Sequence, residues 1–195
     1  GRIVDRLAEE IASLDPERRL RALKVVDYVD AETDLRENLM ALISDPDRRV
    51  RATVVKIVKL SGSTEGMRHL VAALSDPDRR VRANAVEALE DFGEPRYAGV
   101  LMPFLQDPDN RVRANAAKAV WALGRDEGRV ALEAMLNDPS PSMRLSAAWA
   151  MAEARTPGAE ERLLARAEVE RDPAVRAKIV EGVGQLHAPP GEARA

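Results

Sequence analysis

One eight-residue phrase returns along this chain at a nearly constant interval. It reads DPDRRVRA from Asp76 to Ala83 and again from Asp45 to Ala52. DPDNRVRA runs from Asp107 and DPERRLRA from Asp15, and weaker copies read DPSPSMRL from Asp138 and DPAVRA from Asp172. The leading aspartates are separated by 30, 31, 31, 31 and 34 residues. A fixed period of about 20 to 50 residues marks a stacked array of supersecondary units. In such an array each unit buries its apolar face against its neighbours, so one pattern read once predicts the whole chain.

Composition narrows what the unit is. Hydrophobic residues make up 45% of the 195 residues but aromatics only 3%. Alanine and leucine supply the apolar material, which suits thin helical layers better than a thick sheet sandwich. The net charge of −3 gives no general attraction to nucleic acid or to an anionic membrane. With no cysteine, disulfides, thiolate metal sites and cysteine nucleophiles are excluded. His69 and His187 are the only histidines and stand 118 positions apart, so a histidine-built metal site is not expected. No apolar run reaches the roughly 18 residues of a membrane span. No signal-peptide pattern opens the chain, whose first residue is Gly1, and the setting expected is cytoplasmic.

Helical spacing runs from the first residues onward. Ile3, Val4, Leu7, Ile11 and Leu14 define an apolar stripe, with Asp5, Arg6, Glu9 and Glu10 opposite. Each Asp-Pro then predicts a helix start, the aspartate as N-cap and the proline at the first helical position. Before each turn a stripe recurs: Leu39, Leu70, Leu101 and Leu132 six residues ahead of the aspartate, and Ile43, Leu74, Leu105 and Leu136 two ahead. Pro103 should bend its helix. After each turn, positions four and eight beyond Val50, Val81, Val112, Met143 and Val175 are again apolar, many of them alanine. Gly62, Gly93 and Gly124 are expected just past helix ends. The first repeat departs from this, placing Lys24 and Asp27 at core positions, so either its register slips or it is an atypical end unit. Gly182 and Gly184 should weaken the last helix by about 1 kcal/mol each.

Helix, Asp-Pro turn, then a helix opening on Val-Arg and closing on small residues and glycine resembles the HEAT repeat. Asn115 to Gly124, NAAKAVWALG, is similar to the short bacterial type grouped with phycobilisome-lyase-like repeats. The resemblance implies an all-α, right-handed α-solenoid of about six HEAT-like helix pairs over residues 1–187. The repeats lie at about 1–31, 32–62, 63–93, 94–124, 125–155 and 156–187, with a flexible tail at 188–195. It also implies a ladder of ion pairs and hydrogen bonds linking repeats through the turn aspartate and the Val-Arg arginine. The matching residues are Asp45, Arg51, Asp76, Arg82, Asp107, Arg113, Asp138 and Arg144, with Asp15 and Arg21 in the first repeat. Arg176 follows Asp172 by only four positions and departs from the pattern. Arginine suits this place because its planar fork serves two acceptors at once.

The family is chiefly one of binding scaffolds, so the resemblance implies a non-enzymatic protein–protein interaction role on a concave helical face. The helical wheel places Lys56, Lys59, Asn84, Glu87, Asn115, Lys118, Trp121, Leu145, Ser146 and Trp149 on that face. Trp121 and Trp149 are the chain's only tryptophans, and tryptophan on a surface is a common binding hot spot. Packing over alanine-rich neighbours is the competing reading of both. The arginine-rich edge, Arg18, Arg19, Arg48, Arg49, Arg79, Arg80 and Arg111, offers a nucleic-acid-binding alternative, although each cluster adjoins acids of its own turn. A bilin-lyase-like role follows only from the family label. No catalytic constellation, metal site or cofactor motif is expected.

Overall fold

The computed structural model describes residues 2–29, 34–57 and 64–188. Among them are twelve α-helices and no strand, and the chain divides into two compact units, Gly1–Phe92 and Gly93–Ala195. The first unit holds α1 (Arg2–Ile11), α2 (Pro16–Val29), α3 (Arg36–Ala41), α4 (Arg48–Ile57), α5 (Thr64–Ala73) and α6 (Arg79–Asp91). The second holds α7 (Tyr97–Leu101), α8 (Asn110–Ala122), α9 (Glu127–Leu136), α10 (Pro141–Ala154), α11 (Ala159–Val169) and α12 (Pro173–His187). In each unit the even-numbered helices pack in sequence, α2 on α4 on α6 and α8 on α10 on α12. This is an all-α stack of helix pairs.

Small residues set how closely the layers approach. Ala114, Ala116, Ala117 and Ala119 of α8 are fully buried, as are Ala147, Ala148 and Ala150 of α10. A Cβ on Gly128 would lie 2.3 Å from the Ala117 carbonyl oxygen, so α9 meets the α8 backbone directly. Gly182 does the same for α12 against α10, where a Cβ would come within 3.1 Å of the Ala152 Cβ. It is a packing residue, whereas Gly184 faces open space. Gly93 and Gly124 take positive φ at helix ends (66° and 86°), while Gly62 lies outside the described residues. After Gly124 the Arg125 N–H reaches back to the Val120 carbonyl at 3.0 Å and closes the helix end. Pro103 cannot donate to a helical ladder, and α7 gives way to a 3-10 turn at Met102–Gln106.

The expected aspartate cap and first-position proline hold at Asp15-Pro16 and Asp172-Pro173, but the DPD turns work differently. In DPD turns the cap is the second aspartate. Asp78 accepts from the Arg80 N–H, Asp109 from those of Arg111 and Val112, and Asp47 from that of Arg49 at 2.7 Å. Pro46, Pro77 and Pro108 therefore sit in the turn, ahead of the helix. The first aspartate is freed for a second task. Its carboxylate accepts the N–H two residues on, at 2.8 Å for Asp45 and Asp76 and 2.9 Å for Asp107.

The same carboxylate receives an arginine from the preceding repeat. Arg51 forks onto Asp76 at 2.7 and 3.0 Å while its Nη1 donates to the Asp45 and Pro46 carbonyls of its own turn. Arg82 holds the Asp76 and Pro77 carbonyls in the same way. Arg113 spends its Nε on the Asp107 carbonyl at 2.8 Å, and the Asp138 carboxylate accepts the Ser140 N–H. Arg144 holds the Asp138 and Pro139 carbonyls, and its fork lands on Glu170 at 2.7 and 2.8 Å. The Arg51 and Arg144 rungs thus tie one turn's backbone to the next turn's carboxylate, whereas among the described residues Arg113 holds only its own turn.

Both end repeats are corrected by this geometry. In the first, the ladder arginine is the buried Arg19, which donates to the Ser13 and Leu14 carbonyls and pairs with Asp45 at 2.8 Å, while Arg21 is exposed. Asp15 is a cap residue, accepting from Glu17 N–H, so the repeat begins at Ser13. The register slips by two, which removes Lys24 and Asp27 from the core and puts Ala22, Leu23 and Val26 there. In the last repeat Asp172 is likewise the cap, accepting from Ala174 and Val175, and Glu170 is the ladder acid. Arg176 lies six positions after Glu170 and donates to its carbonyl. Read from Ser13, Asp45, Asp76, Asp107, Asp138 and Glu170, the steps become 32, 31, 31, 31 and 32.

Candidate partner-binding face

Within each unit the second helices pack on one another, which closes off much of their surface. Ala83 and Ala114 are fully buried and Ala52 nearly so. Asn84 is half-buried and donates from Nδ2 to the Ala52 carbonyl at 2.7 Å, tying α6 to α4. Asn115, at the same place in α8, is wholly buried. Ser146 is buried and its Oγ accepts from Asn110 Nδ2 at 2.6 Å, which links α8 to α10. Asn115 and Ser146, expected on the open face, are therefore buried between helices instead. The helical wheel missed this because it treats a helix as having one buried side, whereas α8 packs on α7, α9 and α10, and α10 on α8, α9, α11 and α12.

What remains in the second unit is two residues on each of α8 and α10. Lys118 and Trp121 stand one turn apart on α8, and Leu145 and Trp149 one turn apart on α10. All four are half-buried. The Lys118 ammonium lies 5.9 Å from the Trp149 ring centroid, within range of a cation–π contact. Each tryptophan is partly buried and partly in solvent. In the first unit Lys56 is exposed on α4 and Glu87 half-buried on α6, while Lys59 lies outside the described residues.

The arginine edge is largely engaged by acids. Arg49 is bonded to Asp47 at 2.8 Å and Glu17 at 2.7 Å, Arg18 to Glu10 at 2.7 Å, and Arg48 lies 3.6 Å from Asp78. The Arg49 guanidinium, with the backbone N–H groups of the cap, holds the Asp47 carboxyl down to about 2. Burial opposes ionisation of Asp76, but the Arg51 fork and the Asp78 N–H outweigh it and keep its pKa below the ordinary value. At Glu170 the Arg144 fork is the main cause of a pKa far below the ordinary carboxylate range, opposed by burial and aided by the Asp172 N–H and Arg166.

Two shallow hollows lie on the side of the first helices, one beside Thr156, Ala159 and Leu186, the other beside Leu105, Val130 and Ala134. Among the described residues no group of three His, Asp or Glu side chains is placed to hold a metal ion, and no helix is long and apolar enough to cross a membrane. His187 meets Glu160 at 2.8 Å on the surface.

A family model of HEAT repeats matches residues 67–136 and 128–195. No curated protein sequence matches the chain. Among solved structures, the Escherichia coli protein YibA is similar at 18% identity and a TM-score of 0.64, covering 93% of this chain and 72% of that one. The complex of CpcE and CpcF of phycocyanin lyase from Nostoc sp. is similar at 15% identity and a TM-score of 0.52, covering 94% of each chain. Human deoxyhypusine hydroxylase is similar at 18% identity and a TM-score of 0.51, covering 95% of this chain and 85% of that one. At these identities the likeness is one of fold, a stacked helical solenoid.

Proposed function

The chain belongs to the HEAT-repeat family, and on that premise we propose that it is a non-enzymatic scaffold that binds a partner protein along the open side of its second helices. The main contact is Trp121, Trp149, Leu145 and Lys118. One observation supports this above others: both tryptophans of the chain are half-exposed on two second helices that pack together, α8 and α10. An indole offers a large contact area and loses little conformational entropy, and the Lys118 ammonium lies 5.9 Å from the Trp149 ring. Helices fixed by the arginine ladder present that area in a preformed shape, which lowers the ordering cost of binding. Arg18, Arg19, Arg48 and Arg49 of the edge are engaged by carboxylates, which disfavours the nucleic-acid alternative. A cytoplasmic setting belongs to the same reading.

Affinity capture with the intact chain, set against the Trp121→Ala, Trp149→Ala double variant, tests it. The double variant is expected to lose the partner while keeping the helical circular dichroism signal and most of its thermal stability. Unchanged capture, or a collapse of the fold, contradicts the reading. Since both tryptophans lie in the patch, a blue shift of their fluorescence on adding the captured partner is a second readout.

A further inference from the structure

Among the described residues the ladder runs one step past its last carboxylate. Arg176 takes the ladder arginine's place on α12 and holds the Glu170 carbonyl, as Arg51 and Arg144 hold their own turns. Those two arginines then fork onto the next repeat's acid, but Arg176 is exposed and meets no carboxylate among the described residues. The apolar flank beside it is equally unfinished. Four residues beyond each ladder arginine stand Leu23, Val55, Val86, Ala117 and Ala148, all 0–1% exposed, whereas Val180 in that place is 64% exposed.

We propose that the outer flank of α12, formed by Arg176, Ala177 and Val180, docks a helix pair of a partner protein that presents a carboxylate to Arg176. The charge follows from the ladder itself, since Arg19, Arg51 and Arg144 each find an acid at this place. Continuity with the internal interfaces supplies the shape: a small or branched apolar residue one turn beyond the arginine, covered by the next helix pair. A second copy of this chain is a poorer occupant. Its first turn has the right form, with the Ser13 carbonyl accepting from Arg19 at 2.7 Å and the Ser13 hydroxyl from the Asp15 N–H at 3.2 Å. Its leading face is also open, with Ile3 68% exposed where the equivalent Leu35 is 1% exposed. But Ser13 carries no carboxylate for Arg176.

That single difference gives the test. The probe is a labelled full-length copy carrying Ser13→Asp, which supplies the missing acid, and Arg176→Ala, which prevents further chain growth. It is titrated with the wild-type chain and compared with a probe carrying Arg176→Ala alone. The expected result is a one-to-one complex at least tenfold tighter with the Ser13→Asp probe, and loss of that gain when the wild-type partner carries Val180→Asp. Val180 is exposed, so its replacement leaves the fold intact, which circular dichroism checks. Equal affinity of the two probes overturns the proposal if weak and, if tight, identifies a second copy as the occupant. A tenfold gain in affinity on removing residues 189–195 from the wild-type chain identifies that segment as the occupant and overturns it as well.

Discussion

Replacing Glu170 by alanine strips the last rung of the ladder and leaves a buried cation behind. The Glu170 side chain is 0% exposed and that of Arg144 is 9% exposed. Glu170 accepts both arms of Arg144 at 2.7 and 2.8 Å, Arg166 at 3.0 Å, and the N–H groups of Arg171 and Asp172 at 3.0 and 2.9 Å. Removing one member of such a pair costs about 3–5 kcal/mol because the other is left uncompensated. For a chain of this size that is a melting point lower by about 6–20 °C. The assay is thermal and urea denaturation of full-length wild type and Glu170→Ala, with hydrogen exchange to localise the loss to α10–α12. The pH dependence has a fixed sign. A carboxyl held below its ordinary 4.5 contributes stability that is fully present above that value and lost as pH falls below it. The gap between wild type and Glu170→Gln should therefore be constant above about pH 5.5 and narrow as pH drops below about 4.5. A loss under about 1 kcal/mol, typical of a surface ion pair, refutes the reasoning. So does a gap that does not change with pH.

Two glycines should respond to alanine with opposite signs. Gly128→Ala forces a methyl to within 2.3 Å of backbone and is expected to destabilise by about 1–3 kcal/mol, whereas Gly184→Ala, in open space on α12, should stabilise by about 0.5–1 kcal/mol. Denaturation midpoints check both. Arg51→Lys keeps the charge but cannot fork onto Asp76 while holding two carbonyls, so a loss of about 1–2 kcal/mol is expected by urea titration. Asp172→Ala removes a cap from two N–H groups, and about 1 kcal/mol should go with it, while Asp15→Ala, capping one, should cost less.

The period made the stack of helix pairs legible, because each unit repeats the same burial problem with nearly the same residues. Both end repeats were misread from one cause. Matching on Asp-Pro catches the ladder acid in DPD turns, but at Asp15 and Asp172 it catches the cap instead. The signal for the right register was present in the six-residue spacing from Ser13 to Arg19 and from Glu170 to Arg176. Arg19 and Glu170 were overlooked because charged residues are expected outside, and only the pairing between turns, about 26 positions apart, makes their burial tolerable. On the candidate face, Lys118, Trp121, Leu145 and Trp149 could be found from the helical wheel. The burial of Asn115 and Ser146 could not, since it depends on how closely neighbouring second helices approach.

The claim that the open strip of α8 and α10 is where a partner binds is tested most directly by hydrogen exchange of the full chain with and without the captured protein. Side-chain contact there should slow exchange at residues 118–122 and 145–152 and leave the first helices α9 and α11 unchanged. Slowing confined to α9 and α11, or to the arginine-bearing turns, would contradict it.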